Sequence, residues 1–128
     1  MKCFIVDDSQ LYIDIIAQAI ASDGDIIKST TNPNNAIEQI IEFDPDVIVI
    51  DYIMPEKSGT QLADEINQNK ITSHIPILLI SAGEIPCDYR NYGIYDHIEK
   101  SEPIESIRKS LNLFSNIGKI NKHTKKIK

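Results

Sequence analysis

Val47, Ile48, Val49 and Ile50 form an unbroken β-branched run between Asp44-Pro45-Asp46 and Asp51. Successive side chains of a strand point to opposite faces, so a run with no polar alternation must be covered on both. That is the pattern of a strand in a parallel sheet flanked by helices. The run ends in a carboxylate, and a Pro55-Glu56-Lys57-Ser58-Gly59 turn follows. A doubly covered strand delivers its last side chain to the carboxyl edge of the sheet, where open α/β folds keep their sites. Asp51 is therefore expected at that rim, on a rigid support.

The rest of the chain repeats the theme. Cys3-Phe4-Ile5-Val6 ends in Asp7-Asp8, and Ser9 can cap a helix carrying Leu11, Ile15, Ile16, Ala19 and Ile20. Asp23-Gly24 is expected to stop that helix. Asp25 to Ser29 reads as a second strand, and Thr31-Asn32-Pro33 opens a helix with Ile37, Ile40 and Ile41 on one face. Ser58-Gly59 opens a third helix with Leu62, Ala63 and Ile66 inward. Ile75 to Ile80 is a fourth strand, ending in Ser81, and Ile94 to Glu99 a fifth, ending at Lys100. Ile104, Ile107, Leu111 and Phe114 stripe the last helix. Strands alternating with helices predict a five-stranded parallel sheet with helices on both faces, and the expected arrangement is the doubly wound, flavodoxin-like one of order 2-1-3-4-5.

Length bounds this to one domain, expected over residues 1–118, with a basic tail over 119–128. All 19 Asp and Glu precede residue 119, whereas Lys119, Lys122, Lys125, Lys126 and Lys128 crowd the end. The tail is expected as a solvated, frayed end, or else as an arm that touches an acidic partner or the start of a linker. An acidic body argues against direct DNA binding. No apolar run approaches the ~20 residues that span a bilayer, and no membrane association or signal peptide is expected, which leaves the cytoplasm as the expected location. Cys3 and Cys87 read as reduced, packed thiols. His74 and His123 read as exposed and without function, and Tyr89, Tyr92 and Tyr95 as packing residues.

Four strand ends carry reactive side chains: Asp7-Asp8, Asp51, Ser81 and Lys100. In the 2-1-3-4-5 order, strands 1 and 3 are neighbours, so Asp7 and Asp8 lie beside Asp51. Three adjacent carboxylates need a counter-charge, and hard oxygen ligands suit Mg²⁺. Ser81 and Lys100 add a hydroxyl and a cation on the other side, which makes a receptacle for one phosphoryl group. Carboxylates form acyl phosphates, and Asp51, lying centrally, is the best nucleophile.

Ile-Val-Asp-Asp-Ser, Val-Ile-Val-Ile-Asp-Tyr-Ile-Met-Pro, Ile-Leu-Leu-Ile-Ser-Ala and Ile-Glu-Lys, in this order and spacing, resemble the receiver domain of two-component response regulators, stand-alone and CheY-like. The resemblance covers roughly residues 2–116, and the ordered set carries it rather than any one motif. It implies that Asp51 is the phosphoacceptor. Asp8 would be the direct Mg²⁺ ligand, Asp7 the water-mediated one, and the Ile53 backbone carbonyl a further protein ligand. Ser81 would follow the phosphoryl group, and Lys100 would pair with it. The resemblance also implies a histidine kinase or histidine phosphotransfer protein as donor, an unnamed protein output partner, and no enzymatic turnover beyond the domain's own phosphorylation and dephosphorylation.

This chain departs from the family pattern at identifiable places. The switch position three residues before the lysine is His97, where the family usually has an aromatic residue. The Ser81 to Lys100 interval is 19 residues, short for the family, and with Pro86, Gly83 and Gly93 inside it the fourth helix is expected to be abbreviated. Ile53 is apolar where the family often carries a polar residue that assists water, which implies a slowly hydrolysed acyl phosphate. Two competing readings are a phosphate-independent adaptor of the same fold and an aspartate-nucleophile phosphohydrolase. Against the second, neither Asp7 nor Asp8 is followed two residues on by another aspartate.

Overall fold

The computed structural model describes residues 1–127, with side chains as far as Lys125. Strands β1 (Lys2–Val6), β2 (Ile26–Thr30), β3 (Val47–Asp51), β4 (Ile77–Ser81) and β5 (Ile94–Glu99) form one parallel sheet. Their order is β2-β1-β3-β4-β5. Helices α1 (Gln10–Ile20), α2 (Ala36–Phe43), α3 (Gly59–Gln68) and α4 (Ile104–Ile127) cover it. The doubly wound fold expected from the alternating pattern is the fold observed.

Every residue of β3 and β4 is buried, as their unalternated composition requires. Cys3, Ile5, Val47, Val49, Leu78 and Ile80 pack toward α1 and α4, against Ile13, Ile16, Ile20, Ile107 and Leu111. Phe4, Val6, Ile48, Ile50, Ile77 and Leu79 pack the other way, toward α2 and α3. Each such side chain contributes about 1.5–3 kcal/mol of transfer free energy. This parity has a functional result. Asp7 and Asp51 continue the odd-numbered series of β1 and β3, so both carboxylates emerge on the α1 side of the sheet.

Ser9 caps α1, its Oγ accepting the Tyr12 amide at 3.2 Å. The buried stripe of α1 is Ile13, Ile16 and Ile20, while Leu11 (72% exposed) and Ile15 (47%) face outward, against expectation. Helical spacing alone allows two neighbouring stripes, and only contact with the sheet chooses between them. The helix also ends sooner than Asp23-Gly24. Asp25 accepts the Ser22 amide at 3.0 Å, which turns the chain toward β2, and Gly24 sits in that turn with φ of +86°. Ser58 and Gln61 form a capping box at the start of α3.

The abbreviated fourth helix is reduced to one 3₁₀ turn, Tyr89–Tyr92, closed by Gly93 at φ +81°. Tyr89 is buried and Tyr92 half-buried against the α2/α3 layer, whereas Tyr95 is exposed and meets the Phe114 ring edge-on at 5.8 Å. Cys3 is packed, and burial pushes its thiol up to about 12. Cys87 is not packed. It is exposed, because a surface loop stands where a helix would have covered it.

The basic segment is helical to Ile127, as the continuation of α4, where a frayed end was expected. Lys122 hydrogen-bonds Asp46 at 2.9 Å and also reaches the Asp44 carbonyl, and Lys125 donates to the Ile71 carbonyl at 2.9 Å. His74, expected exposed, is half-buried beneath this extension, 3.6 Å from Asp44, and burial followed by the Lys125 charge lowers its pKa. The close approach depends on Gly118, where a Cβ would overlap the Asp46 carbonyl. Gly118→Ala is expected to destabilise by about 1–3 kcal/mol through overpacking. Gly83→Ala, facing open space, should be near neutral, and urea denaturation of both variants makes the comparison.

Candidate functional site

Parallel register places four strand ends along one rim. Val6 pairs with Ile50, Asp51 with Ile80, and Ser81 with Glu99, so the residues at and just beyond these strand ends share an edge. The Lys100 amide continues the β5 ladder by donating to the Ser81 carbonyl at 2.7 Å. Behind Asp51 the chain turns back into α3. The Gly59 amide donates to the Tyr52 carbonyl at 2.7 Å, and any side chain at Gly59 would strike the Asp51 carbonyl.

At this rim Asp7, Asp8 and Asp51 each offer a carboxylate oxygen, all within 4.8 Å of one another. Asp7 and Asp51 are buried and Asp8 is exposed. Lys100 Nζ lies 3.0 Å from Asp7 Oδ2 and 3.2 Å from Asp51 Oδ1. Asp7 also accepts the Ser9 amide at 2.9 Å. Burial, and then the Asp7 charge, push the Asp51 carboxyl up to about 6, a rise that Lys100 offsets only in part. For Lys100 itself, burial alone would lower the pKa. The hydrogen bond and charge of Asp7, joined by Asp51, reverse this and raise it.

One ammonium against three acids leaves surplus negative charge on hard oxygen donors, with Asp8 open to water. That donor set fits hydrated Mg²⁺, which takes few protein carboxylates and keeps several waters.

Ser81 is buried, and its hydroxyl donates to the Gly83 carbonyl. The Ile53 side chain is 73% exposed. His97 is exposed and packs edge-to-face with Tyr89, ring centroids 5.0 Å apart, and with Glu84 and Cys87 it lines a cleft of about 260 Å³. The structure therefore brings Asp7, Asp8, Asp51 and Lys100 into one cluster and leaves His97 outside it. One neighbour was missed. Tyr12 lies with its ring centroid 4.1 Å from Lys100 Nζ. Its signal was the Tyr12-Ile16-Ile20 spacing, which prolongs the buried stripe of α1 to the rim.

Residues 3–112 match the response regulator receiver domain family. The chain belongs to that family. Among curated relatives of this receiver, the chemotaxis protein CheY of Halobacterium salinarum is 29% identical over 83 residues, covering 65% of this chain and 68% of CheY. The phosphate regulon transcriptional regulatory protein PhoB of Pseudomonas aeruginosa is 32% identical over 78 residues, 61% of this chain and 34% of PhoB. A probable cyclic di-GMP phosphodiesterase of Vibrio cholerae is 29% identical over 107 residues, 81% of this receiver but only 24% of that protein. The receiver thus spans about a quarter of the length of that relative. Among solved structures, a receiver domain protein from Clostridium thermocellum superposes with a TM-score of 0.80 at 22% identity, covering 93% of this chain and 97% of the other. CheY4 of Vibrio cholerae gives 0.80 at 20%, covering 88% and 97%. These superpositions establish the CheY-like fold. Among the described residues no helix is long and apolar enough to cross a membrane.

Proposed function

We propose that this receiver accepts a phosphoryl group on Asp51 from a histidine kinase or a histidine phosphotransfer protein, and signals by binding a protein partner. The observation that supports this most is the environment of one carboxylate. Asp51 is buried at a rim, touches Lys100, and shares a cation-sized space with Asp7 and Asp8.

In the proposed step an Asp51 oxygen attacks the phosphorus of a phosphohistidine. The phosphorus–nitrogen bond breaks, and its electron pair stays on the imidazole nitrogen, which takes up a proton. Asp7, Asp8, Asp51 and the Ile53 carbonyl would hold Mg²⁺, whose chemistry is to neutralise phosphoryl charge. Lys100 already stands at Asp51 and pairs with a phosphoryl oxygen there. The Ser81 hydroxyl exchanges the Gly83 carbonyl for that same group, and His97 moves from the edge of Tyr89 as β4 and β5 adjust. A binding face that lacks a full fourth helix then changes shape.

The test is incubation of the chain with a small acyl phosphate donor, with Mg²⁺ or with EDTA. A gain of about 80 Da, one phosphoryl unit, is expected only with Mg²⁺. No adduct under either condition would support the phosphate-independent adaptor instead, and label turning over through Asp7 would support a phosphohydrolase. Once formed, the adduct should decay slowly, because exposed Ile53 offers attacking water no hydrogen bond. Ile53→Asn is expected to shorten its lifetime several-fold, and equal lifetimes by mass time course would refute this role for Ile53.

A further inference from the structure

The proposed phosphoryl transfer depends on where one flexible side chain is held. Lysine carries a compact charge on a four-carbon stem with much rotamer freedom, and a carboxylate does little to fix its direction. Lys100 has two carboxylates to choose from, Asp7 at 3.0 Å and Asp51 at 3.2 Å, and its side chain is 20% exposed to competing water.

Its third neighbour is not an oxygen. The Nζ stands over the face of Tyr12, 4.1 Å from the ring centroid. The Tyr12 hydroxyl oxygen is buried and has no hydrogen-bond partner among the described residues, so the hydroxyl does not orient the ring. The backbone does. The Tyr12 amide is held by Ser9 Oγ at 3.2 Å, and the Ser9 amide by Asp7 Oδ1 at 2.9 Å. Asp7 Oδ2 then meets Lys100, and Lys100 meets the Tyr12 ring, which closes a loop of four residues around the ammonium.

The geometry points to Tyr12 as a positioning residue for phosphoryl transfer, its ring face fixing the Lys100 ammonium between Asp7 and Asp51. The inference rests on Asp51 being the phosphoacceptor. The ring contributes in two ways. Its negative face attracts the cation, and its bulk keeps water off the side of Lys100 that no carboxylate covers. An ammonium held this way meets the incoming phosphoryl oxygen without first being ordered. Only the ring is required, so the hydroxyl should be dispensable.

Tyr12→Phe and Tyr12→Leu test this in the full chain, with backbone amide spectra confirming that each variant is folded. The first readout is the rate of adduct formation from a small acyl phosphate donor with Mg²⁺. The second is the proton shift of the Lys100 ε-methylene in protein without donor, which an aromatic face moves upfield. Tyr12→Phe should keep both, its rate within about twofold of the parent chain. Tyr12→Leu should lose the upfield shift and slow the reaction by about five- to tenfold. A Tyr12→Leu rate within twofold of the parent overturns the inference while leaving the Asp51 reading intact. Equal slowing in Phe and Leu also overturns it, since that would assign the effect to the hydroxyl. A parent chain that forms no adduct removes the Asp51 reading, and with it this one.

Discussion

Asp51→Asn is expected to abolish the phosphoryl adduct and, in metal-free buffer, to make the protein more stable. The first effect follows from chemistry: an amide oxygen is too weak a nucleophile to open a phosphoryl donor, and Asp7 is already held by Lys100 and the Ser9 amide. The second follows from electrostatics. Burial and Asp7 push the Asp51 carboxyl up to about 6, so at neutral pH its charge is a cost that the fold carries. A rise from 3.8 to about 6 corresponds to at most about 3 kcal/mol. The rim is open at Asp8 and solvent screens part of that, so about 1–2 kcal/mol is expected. Lys100 keeps Asp7 as a partner after the substitution, which limits the loss on its side. For a chain of this size the gain is a rise in melting temperature of roughly 3–8 °C. An adduct that persists in the variant would move the acceptor elsewhere. A fall in melting temperature would mean that the Lys100 pair outweighs the desolvation of Asp51.

The pH dependence and the response to Mg²⁺ form the second large effect. Asp51 holds its proton more tightly folded, near 6, than an unfolded aspartate does, near 3.8. Between those values the native chain binds more protons, so this group's contribution to stability is greatest below the unfolded value and is lost as pH rises through the folded one. His74 has the opposite slope. Its pKa is lowered in the fold, so its contribution is present above the unfolded value of about 6.5 and is lost as pH falls. Subtracting the Asp51→Asn curve from the wild-type curve removes His74 and leaves Asp51 together with the charges coupled to it at the rim. The difference should be small near pH 4 and level off above about pH 6. A saturating divalent cation reverses the cost by favouring the ionised carboxylates. At a hundredfold excess over its dissociation constant Mg²⁺ should add about 2.7 kcal/mol to the wild type. The gain should shrink below pH 6 and be much smaller in Asp51→Asn. Equal gains in both proteins by calorimetry would place the ion away from this rim.

Much of the fold and of its acidic rim is legible in the sequence. The aliphatic runs ending in Asp7-Asp8, Asp51, Ser81 and Lys100 specify buried parallel strands, and a parallel sheet sends every strand's end to the same rim. Pro86, Gly83 and Gly93 forecast a curtailed fourth helix, since neither residue type sustains one. Other features were not legible. Leu11 and Ile15 looked like core because helical spacing cannot say which of two adjacent stripes meets the sheet. Cys87 looked packed because a thiol is usually buried, yet its burial depended on a helix that is not there. The basic end looked frayed because its charges have no partners nearby in sequence. Their partners are the carboxylate of Asp46 and the carbonyls of Asp44 and Ile71, more than fifty residues away.

The order of apolar runs and polar punctuation in this chain determined the fold and the identity of the acids at its rim, because strand period and helix period are local properties of the backbone. What only the tertiary structure decided is how the charges there are shared. Lys100 spans Asp7 and Asp51, and Tyr12 lies under it, because side-chain parity in β1 and β3 and the seating of α1 place them on one face. His97 rests outside that cluster, its ring against Tyr89. Contacts across ninety residues depend on packing, and packing is settled only when all the layers meet.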